Sequence, residues 1–190
     1  RVLVYEGAEE QWRGRGGGGR GVGEGGGGGA RARLEPFLEE QSPTLRGAAI
    51  AGLAMLGPET VPLVRRGLLD AERSVQAAAA SALAETSPEG RLAVLETLGQ
   101  LVGDRSRLVE PLHGQPLPAS AGPVLLALVR EGGADGSTAA AILAELQAPE
   151  SVGAIAELLK QDTVVGRRQL IAALGKVKSA DAVAALGREL

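Results

Sequence analysis

Turn punctuation recurs along this chain at a nearly fixed interval. The stretch "LGPETVPLV", residues 56–64, reads as a helix stop at Gly57, a helix start at Pro58 and Glu59, and a fresh apolar run. Pro88-Glu89 follows 30 residues on, Pro118 a further 30, Pro149-Glu150 a further 31, and Ala180-Asp181 another 31. A period of this length points to stacked supersecondary units, each covering the apolar face of the next, rather than to a single closed core.

The apolar residues keep the same grid. Leu34, Val64, Leu95, Leu126, Ile155 and Leu186 are separated by 30, 31, 31, 29 and 31 residues. Each has an apolar companion three or four places on, at Leu38, Leu68, Leu98, Val129, Leu159 and Leu190, which puts each pair on one helix face. Between these first helices lie Ala-rich stretches centred on Leu53, Leu83, Leu143 and Leu174. Alanine has the highest helix propensity and lets backbones approach closely, so these predict inner second helices packed on both sides. With only three aromatic residues (Tyr5, Trp12 and Phe37), the core must be built from Ala, Leu, Val and Ile. The third second helix is expected to be short or broken, because "DRSRLVEPLHGQPLP", residues 104–118, carries Pro111, Gly114, Pro116 and Pro118. The domain reading is an arm or short strand over 1–12, a flexible Gly-rich linker over 13–30, and a helical array over 31–190 with an irregular third unit at 103–122. Glycine loses so much backbone freedom on ordering that no helix is expected in the linker.

Composition removes several function classes. The chain has no cysteine, which excludes disulfides, thiol catalysis and cysteine metal sites. Its 20 basic and 23 acidic residues leave a net charge of -3, with no overall pull toward nucleic acid or an anionic membrane. No apolar run approaches the roughly 18 residues of a membrane span. Nothing in the sequence selects between cytoplasm and periplasm, and its Ala, Gly, Arg and Leu usage is compatible with a bacterial source.

The stretch "SPTLRGAAIAGLAMLGPETVPLVRRGLLD", residues 42–70, resembles a HEAT repeat of the short bacterial type named after the phycobilisome lyases. A unit of that family opens with Asp-Pro-x-Val-Arg, continues as an Ala-rich helix ending in Leu-Gly, turns at Pro-Glu-Ala and restarts as Val-Pro-x-Leu. Pro43, Leu45, Arg46, Ala48, Ala49, Leu53, Leu56, Gly57, Pro58, Glu59, Val61, Pro62 and Leu68 occupy those places, with Ser42 in place of the usual Asp. Later units depart from the pattern: Gln76 stands where Arg is common, and Ala180-Asp181 replaces Pro-Glu. The resemblance covers residues 31–190. It implies an all-α, right-handed α-solenoid of about five to six antiparallel helical hairpins, with the second helices along the concave side. Function is left open by fold alone.

The sequence offers no catalytic constellation. His113 is the only histidine, and Asp104, Ser106 and Glu110 are near it only in sequence; with no cysteine, a zinc site would have carboxylates for its remaining ligands. The glycine tract lacks the Gly-Lys-Ser/Thr ending of a phosphate loop. Its Arg13, Arg15 and Arg20 are few for an RNA-binding tail, with Trp12 alone for stacking. Lys160, Arg167, Arg168, Lys176 and Lys178 make the last full hairpin locally basic, but Glu157, Asp162 and Asp181 interrupt it. Arg46, Ile50 and Met55 fall off the Leu45, Ala49, Leu53 and Leu56 face, and Ile50 and Met55 are expected to be partly exposed on the concave side. Arg46, Ile50, Met55, His113, Arg167 and Arg168 form the candidate partner-contact set. The resulting expectation is a non-enzymatic protein-interaction scaffold, or a structural subunit of a larger assembly, with protein partners and no cofactor or metal. Two alternatives follow from the resemblance: a bilin lyase-like protein or chaperone holding a tetrapyrrole in its groove, and a nucleic-acid-binding HEAT-like protein. Aromatic poverty weighs against both.

Overall fold

The computed structural model describes residues 26–118, 120–147, 150–160 and 167–189. The expected arm (1–12), the linker up to residue 25 and the anchor Leu190 lie outside the described residues. Among the described residues, eleven α-helices follow in chain order: α1 (Gly26–Leu34), α2 (Pro43–Ala54), α3 (Val61–Val64), α4 (Arg73–Thr86), α5 (Pro88–Leu98), α6 (Ser106–Val109), α7 (Ala121–Glu131), α8 (Gly133–Glu145), α9 (Glu150–Leu159), α10 (Arg167–Lys176) and α11 (Ala180–Glu189). Short 3-10 segments extend three of them: Glu35–Glu39 after α1, Pro58–Thr60 before and Arg65–Leu69 after α3, and Glu110–Leu112 after α6. There is no strand among the described residues.

The odd-numbered helices are the expected first helices, and the even-numbered ones the second helices. Within the second layer α2 packs on α4, α4 on α6, α6 on α8, and α8 on α10; in the first layer α3, α5, α7, α9 and α11 follow one another in the same way. The result is an all-α solenoid. One continuous core runs between the layers, with Leu53, Val64, Leu68, Leu83, Leu98, Leu125, Leu143, Ile155 and Leu174 fully buried. The buried alanines Ala79, Ala80, Ala84, Ala139, Ala140 and Ala144 let neighbouring second helices approach closely.

Helix ends account for the regularity. Ser42 is extended and Pro43 takes the first position of α2, where a missing N–H costs nothing. Gly57, at φ +128°, turns the chain in a conformation that side chains disfavour. The buried Thr60 hydroxyl lies 2.7 Å from the carbonyl oxygens of both Leu53 and Gly57, satisfying the end of α2 from the start of α3. One unit on, Ser87 Oγ accepts from the Gly90 N–H at 2.9 Å and caps α5. Gly90 cannot carry a side chain there, since a Cβ would sit 2.2 Å from the Leu83 carbonyl oxygen.

Two expectations need correction. Gly26–Gly29, assigned to the linker, form the first turn of α1. The adjoining residues Ala30–Leu34 favour helix, and once a helix exists each added residue gains one backbone bond; that offsets a glycine cost of about 1 kcal/mol per residue. Ile50, expected to be partly exposed, is only 1% exposed. The buried residues of α2 are Ala49, Ile50, Leu53 and Ala54, because the helix is covered both by the 3-10 segment of its own unit and by α4. A Cβ on Gly67 would come within 2.4 Å of Ile50 Cδ1 and 2.9 Å of Ala79 Cβ, so Ile50 fills the corner where these elements meet.

Polar bonds tie each unit to the next at the repeat interval. Arg65 reaches Glu96 at 2.8 Å, Arg73 reaches Asp104 at 3.3 Å, Arg107 donates to Gln76 Oε1 at 2.8 Å, and Lys176 donates to Glu145 at 2.9 Å, each across 31 residues.

Candidate functional site

The second layer is interrupted where the prolines predict it. After a single turn of α-helix, α6 passes into the 3-10 segment Glu110–Leu112 and then irregular chain, with Pro111 inside the tightened turn and Gly114 at φ +73°. Leu108, Val109 and Leu112 still reach the core, so the unit keeps its place in the stack while losing the turns that would extend its inner surface.

An open groove of about 590 Å³ lies beside this break. It is lined by Glu110 and His113 from the broken unit, by Ala134, Ser137, Thr138 and Ala141 of α8, and by Gln169 of α10. Three successive second helices therefore contribute to one surface. Its chemistry is uneven. The Glu110 carboxylate is exposed and has no hydrogen bond or ion pair among the described residues. The Thr138 hydroxyl donates to the Ala134 carbonyl oxygen at 3.1 Å, which leaves its lone pairs as acceptors. Ser137 Oγ likewise lies 3.1 Å from the Gly133 carbonyl oxygen.

His113 lies at the edge of a small polar cluster. Its Nε2 is 3.4 Å from Glu145 Oε1, which also accepts from Lys176 Nζ at 2.9 Å. The Lys176 bond, with His113 and the Gly114 N–H adding to it, holds the Glu145 carboxyl below the usual carboxylate range against the opposing effect of burial. Lys176 is thus engaged by Glu145, and among the described residues no lysine or arginine lines the groove.

The other expected contact residues are scattered. Arg46 is a strut: Nε and Nη2 grip both oxygens of Asp70 at 2.8 Å, while Nη1 donates to the carbonyl oxygens of Glu40 and Gln41. This fork holds the Asp70 carboxyl below its ordinary value. Ile50 is core. Met55, just past the end of α2, is 83% exposed. Arg167 donates from Nη1 to the Leu159 carbonyl oxygen at 2.8 Å and so ties α10 to α9, whereas Arg168 is exposed on α10. Of the six, His113 alone lines the groove.

The sequence reading missed a buried cluster that carries the broken unit. Arg105 has a 7% exposed side chain; its guanidinium bonds to Glu131 and to the Leu101 carbonyl oxygen, and Asp135 Oδ2 accepts the Arg105 backbone N–H at 2.8 Å. The readable signal is the pair of aspartates Asp104 and Asp135, 31 residues apart on the repeat grid, the first just before α6 and the second in the first turn of α8. Among the described residues no group of histidines, cysteines and carboxylates is arranged to hold a metal ion, and no helix is long and apolar enough to cross a membrane.

With this geometry in hand, comparison with known proteins gives one match. Residues 31–109 fit the family model for HEAT repeats, a span from within α1 to the end of α6. No curated protein matches the chain.

Proposed function

We propose that this protein is a non-catalytic interaction scaffold, or a structural subunit of a larger bacterial assembly, and that it engages a protein partner through its second-helix layer. The observation that carries the reading is the groove beside α6, where the stack is open across three units without losing its core. Stacked helical hairpins present such extended surfaces with contacts only between neighbours, which suits them to partner binding. The HEAT match over 31–109 supports the same class, since such repeats serve widely as binding scaffolds. Within that class, the residues quoted for 42–70 support the short bacterial type. A tetrapyrrole-holding role is the weaker reading because, among the described residues, no aromatic ring other than His113 lines the groove.

Affinity purification from the native source, followed by mass and identity of what co-elutes, tests the proposal. A stoichiometric protein partner that survives moderate salt is the expected result. A lone chain carrying a coloured ligand, or nucleic acid that dissociates steeply with salt, overturns it.

A further inference from the structure

We infer that the groove beside α6 receives an arginine side chain from the partner protein, an assignment that rests on the scaffold reading and specifies its chemistry. The lining presents acceptors. Glu110 supplies a carboxylate that is unpaired among the described residues, Thr138 Oγ1 donates to the Ala134 carbonyl oxygen and keeps its lone pairs, and Gln169 adds an exposed amide. Lys176 is held by Glu145, and among the described residues no lysine or arginine enters the lining. A lining rich in acceptors, with no lysine or arginine among its described residues, is complementary to a donor-rich positive group.

Chemistry favours guanidinium over ammonium. The acceptors come from the 3-10 segment after α6, from α8 and from α10, and a planar fork presents five N–H donors in fixed directions, whereas an ammonium acts as a compact point charge. Ala134 and Ala141, about two helical turns apart on α8, give the groove an apolar wall suited to the aliphatic stem of arginine. At about 590 Å³ the groove is larger than one side chain, leaving room for the small residues flanking that arginine in the partner segment.

The test uses the full chain and a defined probe, acetyl-Ala-Gly-Arg-Gly-Ala-amide, against the same peptide with citrulline, which keeps the shape and loses the charge. As the chain has one histidine, the His113 imidazole is an unambiguous NMR reporter, read together with the Ala134 and Ala141 methyls. The arginine peptide is expected to shift all three. Citrulline should bind about tenfold more weakly, and Glu110→Gln should weaken the arginine peptide by a similar factor, as losing a charge-assisted hydrogen bond implies. Because Glu110 is exposed, the rest of the spectrum of this variant should be unchanged. Equal binding of both peptides, insensitivity to Glu110→Gln, or shifts confined to other surfaces overturns the assignment. Using wild type and Glu110→Gln as baits separates the two levels. A stoichiometric partner held equally by both keeps the scaffold reading and removes the arginine assignment. Peptide binding at the groove with no stoichiometric partner recovered keeps the groove chemistry and removes the scaffold.

Discussion

Arg46 and Asp70 illustrate how a surface-looking ion pair becomes structural. The pair closes the first described hairpin, and because the same guanidinium also satisfies two carbonyls before α2, loss of the carboxylate charge disturbs the helix start as well. Asp70→Asn is expected to lower Tm by several degrees at pH 7. The pH dependence has a definite sign. Asp70 and Glu145 both have folded values below their ordinary ones, so their contribution is fully present above the unfolded carboxylate range near pH 4 and is lost as pH falls through the lower folded values. Thermal melts should therefore weaken on acidification below about pH 4, and Asp70→Asn should flatten that slope. Gly67 offers a packing test. Gly67→Ala forces a methyl against Ile50 Cδ1 and should cost about 1–3 kcal/mol in urea unfolding. Adding Ile50→Val removes the nearer clashing atom and leaves the milder approach to Ala79 Cβ, so the double mutant should be more stable than the sum of the single effects predicts.

Helix boundaries are where local chemistry was most readable and where it stopped. The Pro and Gly punctuation placed α2, α4, α5 and the break in α6, because each signal acts within one turn of the residue that carries it. The 3-10 segments flanking α3 were not legible: the apolar spacing of Val64 and Leu68 suits either helix type, and the tightening reflects packing around Gly67. The start of α8 at Gly133, among residues of poor helix propensity, goes with Asp135 docking against the Arg105 backbone rather than with local propensity. Ile50 was misread for the same reason, since periodicity marks one apolar face and α2 is covered on two. Thr60 tests the boundary argument. Thr60→Val keeps the shape but removes the single buried hydroxyl proton shared between the Leu53 and Gly57 carbonyls, which retain the backbone donors of Leu56 and Thr60, and should cost about 1 kcal/mol by denaturant titration.

Stacking was legible in the period itself, whereas the groove was not. Its walls come from Glu110, Thr138 and Gln169, residues that share no motif and meet only because α6, α8 and α10 lie side by side. Coupling across the broken unit falls on the Arg105 cluster. Asp135→Ala leaves the Arg105 backbone N–H without its acceptor and removes a buried countercharge, a loss of about 3 kcal/mol. The expected signature is a broader unfolding transition, with amides of α8 and α10 exchanging before those of α2 and α4 by hydrogen exchange.

The ladder of bonds spanning 31 residues has a mechanical consequence. Substantial contacts between described helices join only elements of the same or adjacent units, so no staple ties the first hairpin to the last. Tension applied to the ends passes through every rung in series. Such a molecule behaves as a soft spring: it stretches by small changes at each joint and, under greater load, surrenders one hairpin at a time from the weakest joint outward. In an assembly, it would serve as a compliant tether rather than a rigid strut.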